Sequence, residues 1–109
     1  MRLLFLFLLL TYHARLTPKE AAQARIAADL ADLQIRHLDY SQVREAISTG
    51  TWVILLGALW CINTQIFTPK FLQVQKLLSE SDITGIHMAK IECSTDEEQF
   101  CNTNFKFDG

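Results

Sequence analysis

The sequence predicts an α/β fold, and three observations carry that prediction. The apolar run at residues 51–59 has neither a helical nor an alternating period. Such a run reads as a strand covered on both faces, as in a parallel sheet. The pattern then switches to helical spacing, with Phe67, Phe71, Val74 and Leu78 on one face. A second strand-like stretch follows at residues 86–92.

Size and charge narrow the function classes. At 109 residues the chain is one small domain at most. Hydrophobic residues make up 50% of it, enough for a core, although the first residues take a share of them. Ten basic against twelve acidic side chains give a net charge of −2, and no lysine or arginine run stands out. This gives no electrostatic basis for binding nucleic acid. Three cysteines are an odd count, for which one pair and one free thiol is the simplest arrangement in an oxidising compartment.

In chain order, Arg2 precedes an unbroken apolar run at residues 3–10. The run is shorter than the roughly 20 residues that span a bilayer. It fits the core of a secretory signal peptide over residues 1–14, with Ala14 as the cleavage edge, although Tyr12 is bulky for that role. The other reading is a buried first strand or helix. Thr17, Pro18 and Glu20 form a helix start: an N-cap, a first-turn proline and a capping box. An alanine-rich helix follows, with Ile26, Leu30 and Leu33 on one stripe, and residues 17–34 read as a helical connector, a lid or a solvated helix.

Residues 35–38 make a short candidate strand. Asp39 or Ser41 can cap a helix carrying Val43, Ala46 and Ile47, which Gly50 is placed to end. The strand at 52–59 comes next, followed by a helix over residues 63–79 with Pro69 inside it, and a loop at 81–85. After the strand at 86–92, Ser94 and Thr95 with Glu97 and Glu98 offer two overlapping capping boxes for a short helix reaching about residue 103.

Cys61 falls where the buried strand hands over to a helix N-terminus. Unpaired N–H groups and the positive end of the helix dipole favour an anion there, so a cysteine tends toward thiolate. A thiolate can attack a disulfide and form a mixed disulfide. The plainer reading of Cys61 is a small buried hydrophobe. Trp60 reads as a shield and packing surface beside it. Thr64, one turn on, is placed to donate a hydrogen bond to the Cys61 sulfur. His13, His37 and His87 lack a partner pattern and make no cysteine–histidine pair.

Trp60-Cys61, Pro69 and Phe71, with the strand at 86–93 and Cys101 downstream, resemble the thioredoxin superfamily, and its disulfide-isomerase branch most. The resemblance runs from about Ile35 to the end of the chain. It implies a thioredoxin-like domain over residues 35–109, the N-terminal βαβαβα portion of that fold, ending before the family's cis-proline. The expectation is therefore a fragment or a truncated product. Three features depart from the branch: Thr64 stands where it has its second cysteine, Leu55 where it has a buried acid, and Leu59 where a proline often precedes the tryptophan. This is the pattern of a redox-degenerate member.

The resemblance implies a protein of the endoplasmic reticulum lumen or a secreted one, acting on client proteins with free cysteines or exposed apolar segments. It would act through Cys61 as a monothiol exchange and retention chaperone, with no cofactor, metal, nucleic acid or membrane in its mature form. Dithiol oxidoreductase turnover is not expected. The alternatives are a non-catalytic protein-binding domain and a remnant without independent activity. Isomerase-like domains can pair cysteines at the positions of Cys93 and Cys101. Two separate buried thiols, or a zinc site shared with His87, are the other readings, and the spacing suits zinc least.

Overall fold

A computed structural model describes residues 16–95 and 97–105. The signal-like segment, Asp96 and residues 106–109 lie outside the described residues. The described chain is mixed α/β: helices α1 (Pro18–Asp32) and α2 (Tyr40–Ala46), strand β1 (Thr51–Gly57), helix α3 (Ile62–Glu80), strand β2 (Ile86–Glu92) and helix α4 (Glu98–Phe105). No helix among the described residues is long and apolar enough to cross a membrane.

β1 and β2 pair in parallel with Thr51 opposite Ile86 and Gly57 opposite Glu92. Residues 36–38 add a single parallel bridge on the far side of β2. There the Lys90 N–H donates to the Arg36 carbonyl at 2.8 Å, and the Leu38 N–H donates to the Lys90 carbonyl at 2.9 Å. β2 therefore lies between the 36–38 segment and β1.

Alternation along the strands sends side chains to two faces. Ile54, Leu56, Ala89, Ile91 and Cys93 pack under Val43 of α2 and Phe100 and Cys101 of α4. On the other face Leu55 and Met88 pack with Ala31 and Ile35 beside Phe71 and Leu72 of α3. Helices thus cover both faces, which is how a parallel sheet hides its side chains. β1 departs from the expectation of full burial. It is the outer strand of the described sheet, and Val53 remains 46% exposed.

The local start signals act as the sequence indicates. The Glu20 N–H donates to Thr17 Oγ1 at 3.1 Å, and the Thr17 N–H donates back to Glu20 Oε1. Asp39 and Gln42 make the same reciprocal box for α2, and the Ser41 hydroxyl donates to Asp39 Oδ1. That hydroxyl, followed by the Gln42 and Ser41 backbone bonds, holds the Asp39 carboxyl below its ordinary range. The boxes expected at Ser94 and Thr95 are replaced by other contacts. Ser94 donates to Glu92 Oε1, and the Thr95 hydroxyl donates to the Glu92 carbonyl and to Glu97.

Helix faces are where the hydropathy pattern misleads. In α1 the alanines Ala28 and Ala31 are buried, while Ile26, Leu30 and Leu33 point outward at 60% exposure or more. Small side chains let α1 lie close along α3, so one face of this helix is packed and the other is open to solvent. In α3 the inward residues are Thr64, Gln65, Thr68, Phe71 and Leu72. Of the expected stripe, Phe71 is buried, whereas Phe67 and Val74 are exposed. α3 runs unbroken through Pro69.

Candidate functional site

β1 ends at Gly57 and α3 begins at Ile62, so residues 58–61 form the turn that presents Trp60 and Cys61. Cys61 is the N-cap residue of α3, in extended conformation with φ −84° and ψ 121°. Its side chain makes no capping hydrogen bond. Its carbonyl accepts the Gln65 N–H at 3.1 Å, as an N-cap carbonyl does.

Three side chains, two from α3 and one from β2, pin the turn. The Ala58 N–H donates to Thr64 Oγ1 at 3.2 Å. The Leu59 N–H donates to Glu92 Oε1 at 2.8 Å, and the Leu59 carbonyl accepts from Gln65 Nε2 at 2.7 Å. The Cys61 N–H closes the turn on the Ala58 carbonyl at 2.9 Å. Trp60 has no such restraint among the described residues and projects outward, 64% exposed. Cys61 turns inward and keeps only 9% of its surface open.

Thr64 lies one turn from Cys61, as expected, but its hydroxyl does a different job. It accepts the N–H of fully buried Ala58. No hydrogen bond from it reaches the Cys61 sulfur among the described residues. An unpaired buried N–H is costly, and the hydroxyl oxygen supplies its acceptor. Thr64 also presses its methyl group on the strand: a Cβ at Gly57 would meet Thr64 Cγ2 at 2.6 Å. The closing end of β1 therefore needs glycine for close approach of the helix.

Cys93 and Cys101 are joined by a disulfide, with Cα atoms 5.9 Å apart. It fastens the exit of β2 to α4 and is buried with the apolar face. Both cysteines are occupied with each other, which removes them as zinc ligands and leaves Cys61 as the free thiol. His87 stands apart from them, stacked on Trp52 at 4.8 Å between ring centres.

Sequence reasoning missed a buried charge cluster beneath the turn. Lys90 is 1% exposed, and its Nζ donates to Asp32 Oδ1 at 2.9 Å and Oδ2 at 3.1 Å. Glu92 Oε2 lies 3.9 Å from the same nitrogen. The one available signal was a lysine and a glutamate inside an otherwise apolar strand. Leu55, facing Lys90 in the ladder, leaves that cluster to residues outside β1.

A wide depression of about 580 Å³ lies between α2 and α4, lined by Val43, Ile47, Phe100 and Phe105 among others. It is on the opposite face of the sheet from α3.

No family model, no curated protein and no solved structure matches this chain.

Proposed function

We propose that the chain is a thioredoxin-like protein of the disulfide-isomerase branch, placed in the endoplasmic reticulum lumen or secreted. It engages client cysteines through Cys61 as a monothiol exchanger and retention chaperone. One observation carries this reading. Of three cysteines, Cys61 alone keeps its thiol, and it stands at the N-terminus of α3 beside an exposed tryptophan.

The exchange balances without an added oxidant. The Cys61 thiolate attacks one sulfur of a client disulfide. A bond forms between Cys61 Sγ and that sulfur as the client bond breaks, and the second client sulfur leaves as a thiolate. The proton that leaves Cys61 goes to water, and water reprotonates the departing thiolate. The position one turn into the helix is Thr64, which has no thiol, so the adduct is not resolved within the site. It persists until a client thiolate attacks it, which restores Cys61 and leaves the client with its original or a rearranged disulfide. Because Cys61 is buried, attack requires the turn at 58–61 to shift.

The test mixes the full chain with a peptide closed by one internal disulfide, then quenches with acid and weighs the products. The expected result is an adduct of one chain and one peptide that disappears in Cys61→Ser, together with iodoacetamide labelling of Cys61 in the folded chain. Labelling seen only after unfolding, with no adduct, would sink the exchange reading.

A second reading has its own support. The depression beside Phe100 and Phe105, and exposed Leu59 and Trp60, offer apolar surface to unfolded chains without any thiol chemistry. In that case Cys61→Ser holds clients as well as the parent chain does.

A further inference from the structure

Lys90 sits at the middle of β2 with its side chain on the face covered by α1 and α3. An ammonium that is 1% exposed needs an anion close by. Two carboxylates reach it, unequally. Asp32, from the last turn of α1, holds it with both oxygens at 2.9 and 3.1 Å. Glu92 stands off at 3.9 Å. Its other oxygen is engaged elsewhere, accepting the Leu59 N–H and the Ser94 hydroxyl, each at 2.8 Å. Leu59 belongs to the turn that leads into Trp60 and Cys61. The cluster also lies directly under that turn: a Cβ at Gly57 would meet Thr64 on one side and Lys90 Cε at 3.3 Å on the other.

We propose that Asp32 is a positioning residue for the Cys61 site. By taking the Lys90 ammonium it leaves the Glu92 carboxylate free to hold the Leu59 N–H, and so fixes the turn that carries Trp60 and Cys61. α1 thereby becomes a working part of the site, through a contact to Lys90, 58 positions away in sequence from Asp32. Without the Asp32 carboxylate, Glu92 is the remaining anion beside Lys90. Closing the gap to hydrogen-bond length pulls its carboxylate off Leu59 and loosens the turn. The consequence for thiol exchange rests on the reading of Cys61 given above; the consequence for the turn does not.

The test measures amide hydrogen exchange in the full chain at Leu59 and at Ile91, the latter reporting global opening from the sheet. In Asp32→Asn, Leu59 protection is expected to fall at least about tenfold further than Ile91 protection, and iodoacetamide labelling of Cys61 to speed up in step. In Asp32→Asn/Lys90→Met the competing ammonium is gone, and both readouts return toward the parent values. Equal loss at Leu59 and Ile91 in the single variant would overturn the proposal. So would a folded double variant with Leu59 still unprotected. If the single variant does not fold, the double variant decides: folded with Leu59 protected supports the proposal, and unfolded overturns it. If Leu59 responds as expected while Cys61 stays inert to iodoacetamide and to the disulfide peptide in every variant, positioning stands and the monothiol reading fails.

Discussion

The two faces of the sheet are held by different physics. Under α2 and α4 the contacts are apolar, with Ala89, Ile91, Cys93 and Cys101 nearly sealed from solvent and a disulfide closing the far end. Under α1 and α3 the buried groups include Lys90, Thr64, Gln65 and Thr68. Among the described residues no buried side-chain nitrogen or oxygen on that face lacks a hydrogen-bond partner. Apolar packing tolerates loss by degrees, since each methylene contributes separately. A buried polar cluster does not, because removing one member strands the others. The candidate site leans on the second face, through Thr64, Gln65 and Glu92.

The largest way to break this contrast is Lys90→Met. It leaves Asp32 without its partner, and such single losses from buried ion pairs cost about 3–5 kcal/mol. A urea melt of the variant is the measurement; a shift of only a few tenths would put the polar face on the same footing as a solvated one. Opening the disulfide comes next. Cys93→Ala with Cys101→Ala is expected to lower stability by about 2–4 kcal/mol. Because the bond sits on the opposite face, exchange at Leu59 should change no more than exchange at Ile91. A selective loss at Leu59 would show that the two faces are coupled.

The smallest effect belongs to neither face and calibrates both. Asp39 is exposed at the start of α2, and its carboxyl is held below its ordinary range in the fold, chiefly by the Ser41 hydroxyl. A depressed carboxyl contributes stability fully present above its unfolded value of about 3.9 and lost as pH falls through the folded value. The stability difference between the parent and Asp39→Asn should therefore be constant near neutral pH and change only in acid. A change already present between pH 5 and 7 would point to some other group.

What was legible in the sequence was local. Thr17 with Glu20 announced α1, the apolar run at 51–59 announced β1, and the strand-like stretch at 86–92 announced β2, because caps and strands depend on neighbours a few residues away. The junction holding Cys61 followed from the same signals. Three things were not legible. The Asp32–Lys90 pair joins residues 58 positions apart, and no periodicity links them. The inward face of α1 is made of alanine, which a hydropathy rule ranks below the isoleucine and leucines it leaves outside. The inward face of α3 begins with threonines whose hydroxyls are satisfied by backbone, Thr64 by the Ala58 N–H and Thr68 by the Thr64 carbonyl, so polarity in the sequence does not translate to exposure.

Glycine at 57 has a consequence for inheritance. Any side chain there would collide with the methyl of Thr64 and crowd the stem of Lys90, so three codons, two near each other and one distant in the message, specify one contact. A larger residue at 57 is acceptable only where Thr64 and the Lys90 stem give way. Replacing Thr64 by cysteine would relieve the crowding at Gly57, yet it would also withdraw the oxygen on which the Ala58 N–H depends.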